Sequence, residues 1–190
     1  MKFQTMKKTI LPVFFSLLLS TLSILDSFGL PAEDVQLVTD AEYFQVAKRM
    51  IQEARTSIQV MMFEMGYYDE HPQTLSNLLI KELIHAKKRG VKVQVILEVR
   101  EGGDRTTKRN RHTGKILSEG GVEVIYDSLA KTTHAKLMVA DGILTLLGST
   151  NWTHYALTHN HEVSVIIRSK TVAKEVGDYF TRVKTTGSKK

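Results

Sequence analysis

The sequence predicts an α/β protein in which a mixed β-sheet is flanked by helices on both faces. Over the first two thirds of the region that follows residue 30, strand patterns alternate with amphipathic helix patterns, which is typical of this class. Segment 57–63 is dense enough in apolar residues to be a strand that is covered on both faces. We expect a single domain over residues 30–190, because 190 residues are too few for two domains of ordinary size.

The first half of the domain divides at turn and capping residues. Residues 35–39 predict a short strand, and Asp40 has the position of an N-cap for a helix over 41–54. A second amphipathic helix is predicted over 72–90, where Gly90 has the position of a C-cap. Apolar residues recur at helical spacing in both helices: Phe44, Ala47, Met50 and Ile51 in the first, and Leu75, Leu79, Ile80, Leu83 and Ile84 in the second.

The second half contains shorter elements. A polar loop over 100–110 precedes a short helix around 112–121. The turn Asp141-Gly142 joins two strands. The remaining predicted elements are strands 91–99, 122–127, 134–140, 143–147 and 162–168 and a final helix over about 171–183.

The segment from residue 100 to 112 is rich in basic residues. It carries five cations, which are Arg100, Arg105, Lys108, Arg109 and Arg111. It is either a solvated surface loop or a phosphate-contacting rim beside an active site. The whole chain has a net charge of +6, which favours phosphate-rich partners such as nucleic acid or anionic lipid. The absence of cysteine excludes disulfides and thiolate metal sites.

Residues 1–29 have the pattern of an export signal. Lysines precede an apolar run from Ile10 to Leu25, and small and polar residues follow it. The segment is interpreted as a signal peptide or as an uncleaved N-terminal membrane anchor. We therefore expect a periplasmic or secreted protein, with possible membrane association through the N-terminus.

Four residues suggest chemistry on a phosphate: two follow the strand over 143–147, and two lie in the strand over 134–140. His134 and Lys136 are two residues apart on that strand and so share one face. Ser149 and Asn151 add uncharged donors from a turn in which Gly148 allows a close backbone approach. Together they would hold the oxygens of a phosphate with His134 directed at phosphorus. Glu162, in the next strand, would fix the tautomer of a histidine.

Structural and metal-binding interpretations are alternatives for these histidines. A single histidine on a strand commonly has a structural role. Lys136 argues against a metal at His134, since its ammonium group would repel a dication. His159 and His161 leave a weaker possibility of a zinc site.

The spacing of these residues resembles the HKD motif of the phospholipase D superfamily. The match reads His134-x-Lys136, then Asp141, then Gly148-Ser149-x-Asn151, and Glu162 stands where the small single-motif bacterial endonucleases of the family carry a glutamate. The resemblance covers roughly residues 33–187 and implies the phospholipase D/nuclease-like sandwich fold. Thr133 and Ala135 depart from the bulkier residues that are common beside the motif histidine.

The resemblance implies a phosphodiesterase that works without metal or other cofactor. His134 would form a covalent phosphohistidine, and Lys136, Ser149 and Asn151 would stabilise the charged transition state. Glu162 would orient a histidine, while Asp141 would have a structural role at its turn. Because the chain has one motif and the mechanism needs two histidines, the resemblance implies a homodimer with both His134 side chains in one shared active site.

The motif alone does not identify the phosphodiester. The short single-motif chain and its basic character favour nucleic acid, whereas the apolar N-terminus leaves phospholipids such as cardiolipin or phosphatidylcholine as the alternative. A catalytically silent nucleic-acid-binding module is a further possibility. Trp152 and Tyr155 are candidates for stacking on bases, although core packing is the more common role of such a tryptophan.

Overall fold

The computed structural model describes residues 29–188. The predicted signal peptide or anchor therefore lies outside the described residues, except for residue 29. From Pro31 onward the described chain forms one compact unit. Within residues 29–188, no helix is both long enough and apolar enough to cross a membrane.

A seven-stranded mixed sheet forms the centre of this unit. The strands are β1 (Asp34–Thr39), β2 (Ser57–Met62), β3 (Lys92–Leu97), β4 (Glu123–Tyr126), β5 (Lys136–Ala140), β6 (Leu144–Gly148) and β7 (Val163–Arg168). Their order across the sheet is β1-β7-β6-β5-β2-β3-β4. Strands β2, β3 and β4 run parallel, and the pairs from β2 through β5, β6 and β7 to β1 are antiparallel. The predicted mixed sheet is thus confirmed.

Helices cover both faces of the sheet, as predicted. They are α1 (Glu42–Glu53), α2 (Leu75–Lys88), α3 (Arg105–Glu119), α4 (His154–Thr158) and α5 (Lys170–Thr186). The larger core cluster takes residues from α1 to α4 and from one face of the sheet, whereas Phe180 of α5 packs with Met61, Ile96, Ile125 and Leu137 on the other. The alternation of Leu137 and Met138 between the two clusters is the period-two pattern of a strand between two helical layers.

Two local predictions were wrong. Asp40 is not an N-cap: its φ is +46°, α1 begins two residues later, and its carboxylate accepts the N–H of Glu162 at 2.8 Å instead. The segment predicted as a loop over 100–110 is largely helical, because α3 begins at Arg105. Asp104 is the N-cap of α3 and accepts the N–H of Thr107 at 2.7 Å.

The carboxylate of Asp141 joins the β5–β6 turn to the chain that leads into β2. It accepts the backbone N–H groups of Arg55, Thr56 and Ser57 at 2.8–3.2 Å, and the hydroxyl of Thr56 at 2.8 Å. Its φ of +52° is one that Asp tolerates better than most residues. Because Asp141 and His134 lie beyond opposite ends of β5, about 20 Å of extended chain separates them.

Asp141→Asn is expected to lower the free energy of unfolding by about 1–3 kcal/mol. Burial raises the pKa of Asp141, but the N–H donors of Ser57, Thr56 and Arg55 outweigh it, so the net pKa lies below its ordinary value of 3.8. The stabilisation by this carboxylate is therefore complete above its ordinary pKa and is lost as the pH falls through the lower, folded value. Denaturant titrations at several acid pH values should show a flatter pH dependence for Asp141→Asn. Asp178→Asn, on the surface of α5, is the matched control, and equal effects of the two substitutions would contradict this role.

Candidate active site

His134 and Lys136 both lie against the ring of Phe63. Phe63 follows β2 directly, and Met62 pairs with Lys136 in the antiparallel β2–β5 ladder. The His134 ring lies 4.5 Å from the Phe63 ring, centroid to centroid, and Nζ of Lys136 lies 4.8 Å from the same centroid. His134 is exposed and precedes the first residue of β5, whereas Lys136 is only 8% exposed. The imidazole is thus open to a substrate, whereas the Lys136 side chain is buried.

Lys136 is a buried cation whose charge is poorly compensated. Burial lowers its pKa, and the Glu162 carboxylate only partly opposes that shift. Nζ donates to the carbonyl oxygen of His134 at 2.7 Å, which fixes the ammonium next to the imidazole. A buried cation with little compensation is well suited to an anionic ligand, since the ligand would supply the missing charge.

Ser149, Asn151 and Glu162 are brought together by strand ends β6 and β7. Oγ of Ser149 donates to Oε2 of Glu162, and Nδ2 of Asn160 donates to the other carboxylate oxygen at 3.0 Å. Oδ1 of Asn151 accepts the N–H of Glu64 at 3.2 Å, which leaves the amide NH₂ of Asn151 as the donor for a ligand. The predicted motif residues other than Asp141 and Gly148 therefore surround one region, although their catalytic roles stay predictions.

Gly148 is required by the close approach of β7. A Cβ at this position would lie 2.5 Å from Cα of Ser164 and still closer to Oγ of Ser164 and to the carbonyl oxygen of Val163. The absence of a side chain lets β6 run directly against β7, which places Ser149 within hydrogen-bonding distance of Glu162.

Two buried carboxylates hold the residue that precedes His134. Glu98, which is 1% exposed, accepts the N–H of Thr133 at 2.6 Å, and Asp127 accepts the hydroxyl of Thr133. Burial raises the pKa of Glu98, while the hydrogen bonds from Thr133 and from Nε of Arg100, at 3.1 Å, oppose the shift. The threonine that replaces a bulkier residue at this position therefore has specific partners.

The five basic residues of segment 100–111 do not form one rim. The Arg100 guanidinium lies 5.2 Å from the centroid of Phe63 and pairs with Glu98 and Asp104. Arg105 and Arg109 line a cavity next to Asn151, and Arg109 is paired with Glu64. Lys108 is exposed, and Arg111 lies 5.0 Å from the centroid of Tyr126, on the last strand of the sheet. Arg105, Lys108, Arg109 and Arg111 lie on helix α3, which directs their side chains to different surroundings. Arg100 precedes this helix.

Trp152 packs in the core, as the more common role of such a tryptophan predicts, and its candidate role as a substrate-binding residue was wrong. Its side chain is 0% exposed, and Nε1 donates to the hydroxyl of Tyr43 at 3.0 Å. Burial raises the pKa of Tyr43 to about 12, so this phenol is neutral at physiological pH. Tyr155 is 66% exposed and remains a candidate for stacking.

A cavity of about 920 Å³ lies next to Asn151. Loop 64–74, the first turns of α3 and the segment from Asn151 to Asn160 line it. His159 and His161 do not support a zinc site: the first contacts Thr158, the second approaches Asp40 at 3.5 Å, and residues 29–188 hold no group of three potential metal ligands.

Residues 47–184 match the family described as "cardiolipin synthase, PLD-like domain". The chain belongs to the phospholipase D superfamily. Members of this superfamily are phosphodiesterases, and the matched range contains every HKD-motif residue of this chain. The family that the spacing of His134, Lys136 and Asn151 predicted is thus confirmed.

Known proteins resemble this superfamily member in sequence or in fold. A mitochondrial cardiolipin hydrolase from Xenopus tropicalis is 33% identical over 101 residues, which are 53% of this chain and 45% of that protein. The match thus spans less than half of this curated relative. The phospholipase D family member Nuc from Salmonella typhimurium has a similar fold, with a TM-score of 0.69, 24% identity, and coverage of 81% of this chain and 95% of its own. NucT from Helicobacter pylori has a TM-score of 0.64, 17% identity, and coverage of 82% and 98%.

Residues that follow three other strands support the HKD motif, and the motif spacing did not predict them. Phe63, Glu98 and Asp127 follow the carboxyl ends of the parallel strands β2, β3 and β4, where ligand sites of parallel sheets commonly lie. Buried Asn110 of α3 joins two of these ends, since its Nδ2 donates to the carbonyl oxygens of Phe63 and Glu98 at 2.8 Å. The signal in the sequence was the carboxylate Glu98 within the apolar segment 91–99, because an ionisable residue there needs partners.

Glu98→Gln is expected to lower kcat for a small phosphodiester by about 10- to 100-fold and to leave KM nearly unchanged. The amide keeps the shape of the carboxylate, but its one oxygen cannot accept hydrogen bonds from both Thr133 and Arg100 as the two carboxylate oxygens do. The backbone next to His134 is therefore held less firmly. The measurement is steady-state kinetics together with thermal unfolding, with Glu175→Gln, an exposed glutamate on α5, as the matched control. An unchanged kcat, or a loss explained entirely by unfolded protein, would show that Glu98 does not position His134.

Proposed function

We propose that this chain is a metal-independent endonuclease that hydrolyses phosphodiester bonds of DNA or RNA through a covalent phosphohistidine. The imidazole of His134 attacks phosphorus, and a P–N bond forms as the P–O bond to the leaving oxygen breaks. A second histidine gives its proton to that oxygen. The same histidine then takes a proton from water, whose oxygen attacks phosphorus and releases His134.

The observation that carries this proposal is that His134 and Lys136 both lie against the Phe63 ring and are joined by the hydrogen bond from Nζ of Lys136 to the carbonyl oxygen of His134. The exposed imidazole is the nucleophile, and the buried ammonium stabilises the charge that develops on the phosphoryl oxygens. Ser149 and Asn151 add donors beside them, and Glu162 accepts from Ser149. Each charge of the transition state thus has a partner among the side chains, and the mechanism uses no metal.

The second histidine comes from a second copy of this chain. His134 is exposed, so a twofold axis beside it would bring two such rings to one phosphate. In this homodimer each His134 serves as nucleophile or as acid, depending on which one faces the leaving group. The proposed location is outside the cytoplasm, in keeping with the export pattern of residues 1–29.

The basic residues near the site favour nucleic acid as the substrate. Arg100 lies over the same Phe63 ring as His134, and Arg105 lies at the cavity next to Asn151. The chain outside the first 29 residues has an excess of four positive charges, which attracts a polyanion without regard to its sequence.

A phospholipid hydrolase is the second candidate. The family description names cardiolipin synthase, and the relative from Xenopus tropicalis is named a cardiolipin hydrolase. Cardiolipin also carries phosphodiesters, so the chemistry proposed for His134 applies to it without change.

The test is cleavage of plasmid DNA, single-stranded DNA and RNA by the 190-residue chain in excess EDTA, beside phosphatidate release from cardiolipin vesicles. We expect nucleic acid cleavage that persists in EDTA and weakens steeply as salt rises. Release of phosphatidate without nucleic acid cleavage would show that the substrate is a phospholipid rather than a nucleic acid. Loss of all activity in EDTA would contradict the metal-free mechanism, and tight DNA binding without cleavage would indicate a silent binding module.

A further inference from the structure

The cavity next to Asn151 borders the side chains that are predicted to bind phosphate. Asn151 belongs to the HKD motif and also lines the cavity. Asn160, another lining residue, donates to the Glu162 carboxylate that Ser149 contacts. A substrate whose phosphate contacts Asn151 therefore has this space next to it.

The charges that line the cavity are balanced. The lining contains two arginines, Arg105 and Arg109, and two glutamates, Glu64 and Glu70. Such a lining does not select an isolated anion, because the carboxylates oppose it. An acyl chain is also a poor occupant, since it would bury these charged groups without a polar partner. The lining instead suits a neutral group with polar edges.

One wall of the cavity is flat and fixed. The Arg109 guanidinium lies 5.4 Å from the centroid of the Tyr68 ring and is held from the side by Glu64. The hydroxyl of Tyr68 accepts the N–H of His154 at 3.2 Å, which ties this wall to the start of α4. Fixed rings and guanidinium planes are the surfaces against which nucleobases stack.

An aromatic cluster lies on and just after α4, where His154 and Tyr155 line the cavity. The ring centroids of His154, Tyr155 and His159 lie 5.3–5.5 Å from one another. Tyr155 is 66% exposed although it lines the cavity, so most of its ring is available to a ligand.

We propose that this cavity is a nucleoside-binding subsite, in which the base next to the scissile phosphate stacks on Tyr155. A volume of about 920 Å³ accommodates a nucleoside together with its hydration. Any base can stack on a tyrosine ring, so this subsite strengthens substrate binding without selecting a nucleotide sequence. This inference rests on the proposed nuclease function, since it assigns the substrate group adjacent to the phosphate.

The experiment compares the full-length chain with Tyr155→Ala and Tyr155→Phe on two substrates. One is a mixed-sequence single-stranded oligonucleotide, and the other has the same backbone with abasic residues around the scissile bond. Tyr155→Ala should raise KM for the first by about 5- to 150-fold and leave KM for the second nearly unchanged. Tyr155→Phe should behave like the unaltered chain, because its ring stacks equally well. Tyr179→Ala, a substitution of a 41%-exposed tyrosine on α5, is the control.

The outcomes separate this inference from the proposed function. Cleavage of both substrates with no effect of Tyr155→Ala, or with an equal effect on both, would overturn the subsite and leave the nuclease proposal standing. Failure of the unaltered chain to cleave either substrate while it releases phosphatidate from cardiolipin vesicles would overturn both. A loss in Tyr155→Phe as large as in Tyr155→Ala would show that the hydroxyl, rather than the stacked ring, makes the contact.

Discussion

His134→Asn is expected to abolish phosphodiester hydrolysis, with kcat reduced by about 10³-fold or more. Asparagine has no nitrogen that can attack phosphorus, so the covalent intermediate does not form. The fold should be unaffected, because His134 is exposed and contacts the Phe63 ring as its one aromatic partner among the described residues. The measurement is single-turnover cleavage of labelled oligonucleotide in EDTA, combined with mass spectrometry of acid-free quenched protein for a phosphoryl adduct.

The control for this substitution is His85→Asn. His85 is also exposed, but it lies near the end of α2. It should retain full activity and show the same adduct as the unaltered chain. Residual turnover of His134→Asn above about one tenth of the original rate, or an adduct that persists in this variant, would show that another side chain is the nucleophile.

The strands of the sheet could be predicted from the sequence because each strand has a recognisable local pattern of residues. A strand between two helical layers is apolar on both faces, so segments such as 57–63 are evident without knowledge of their neighbours. The HKD motif is also compact, because His134 lies just before β5, Lys136 is the first residue of β5, and Ser149 and Asn151 follow β6. Family membership and the phosphate-binding cluster are therefore predictable from the order and spacing of the residues.

The sequence predicts a helix around 112–121, whereas α3 begins at Arg105, because the buried face of α3 is polar. Thr107, Asn110 and Thr113 occupy positions that usually hold apolar residues, and each hydrogen-bonds within the protein, to chain segments 63–67 and 98–104. Apolar periodicity cannot detect such a helix. The cap at Asp104 was a usable signal, but the neighbouring glycines and basic residues made the segment resemble a loop.

The parts of the site that escaped prediction depend on contacts between distant segments. Glu98 acts on His134 through Thr133, 35 residues away, and Trp152 is buried because Tyr43, 109 residues away, accepts its N–H. No local spacing encodes either contact. The cavity beside Asn151 is likewise assembled from three separate stretches of chain. None of these stretches predicts the cavity by itself, because each supplies only part of the lining.

Lys136→Met is expected to reduce kcat by about 10²- to 10³-fold without lowering the stability of the fold. Methionine retains the apolar stem over Phe63 but removes the charge that would stabilise the phosphoryl oxygens. Burial lowers the pKa of Lys136, so protonated lysine carries a cost in the folded state. That cost is complete below the folded pKa and is relieved as the pH rises toward the ordinary value of 10.5. The free energy of unfolding of Lys136→Met at neutral pH should therefore equal or exceed that of the unaltered chain.

Opposite movements of activity and stability distinguish a catalytic charge from a structural one. The measurements are single-turnover kinetics and denaturant unfolding at pH 7, and the matched control is Lys88→Met, an exposed lysine at the end of α2. A structural lysine would lose stability and activity together on substitution, since its hydrogen bond to the His134 carbonyl would be its main contribution. If Lys136→Met unfolds more easily and its folded fraction retains normal kcat, the buried ammonium supports the strand and not the transition state. If kcat falls while stability holds, the enzyme retains a costly buried cation because the reaction needs it.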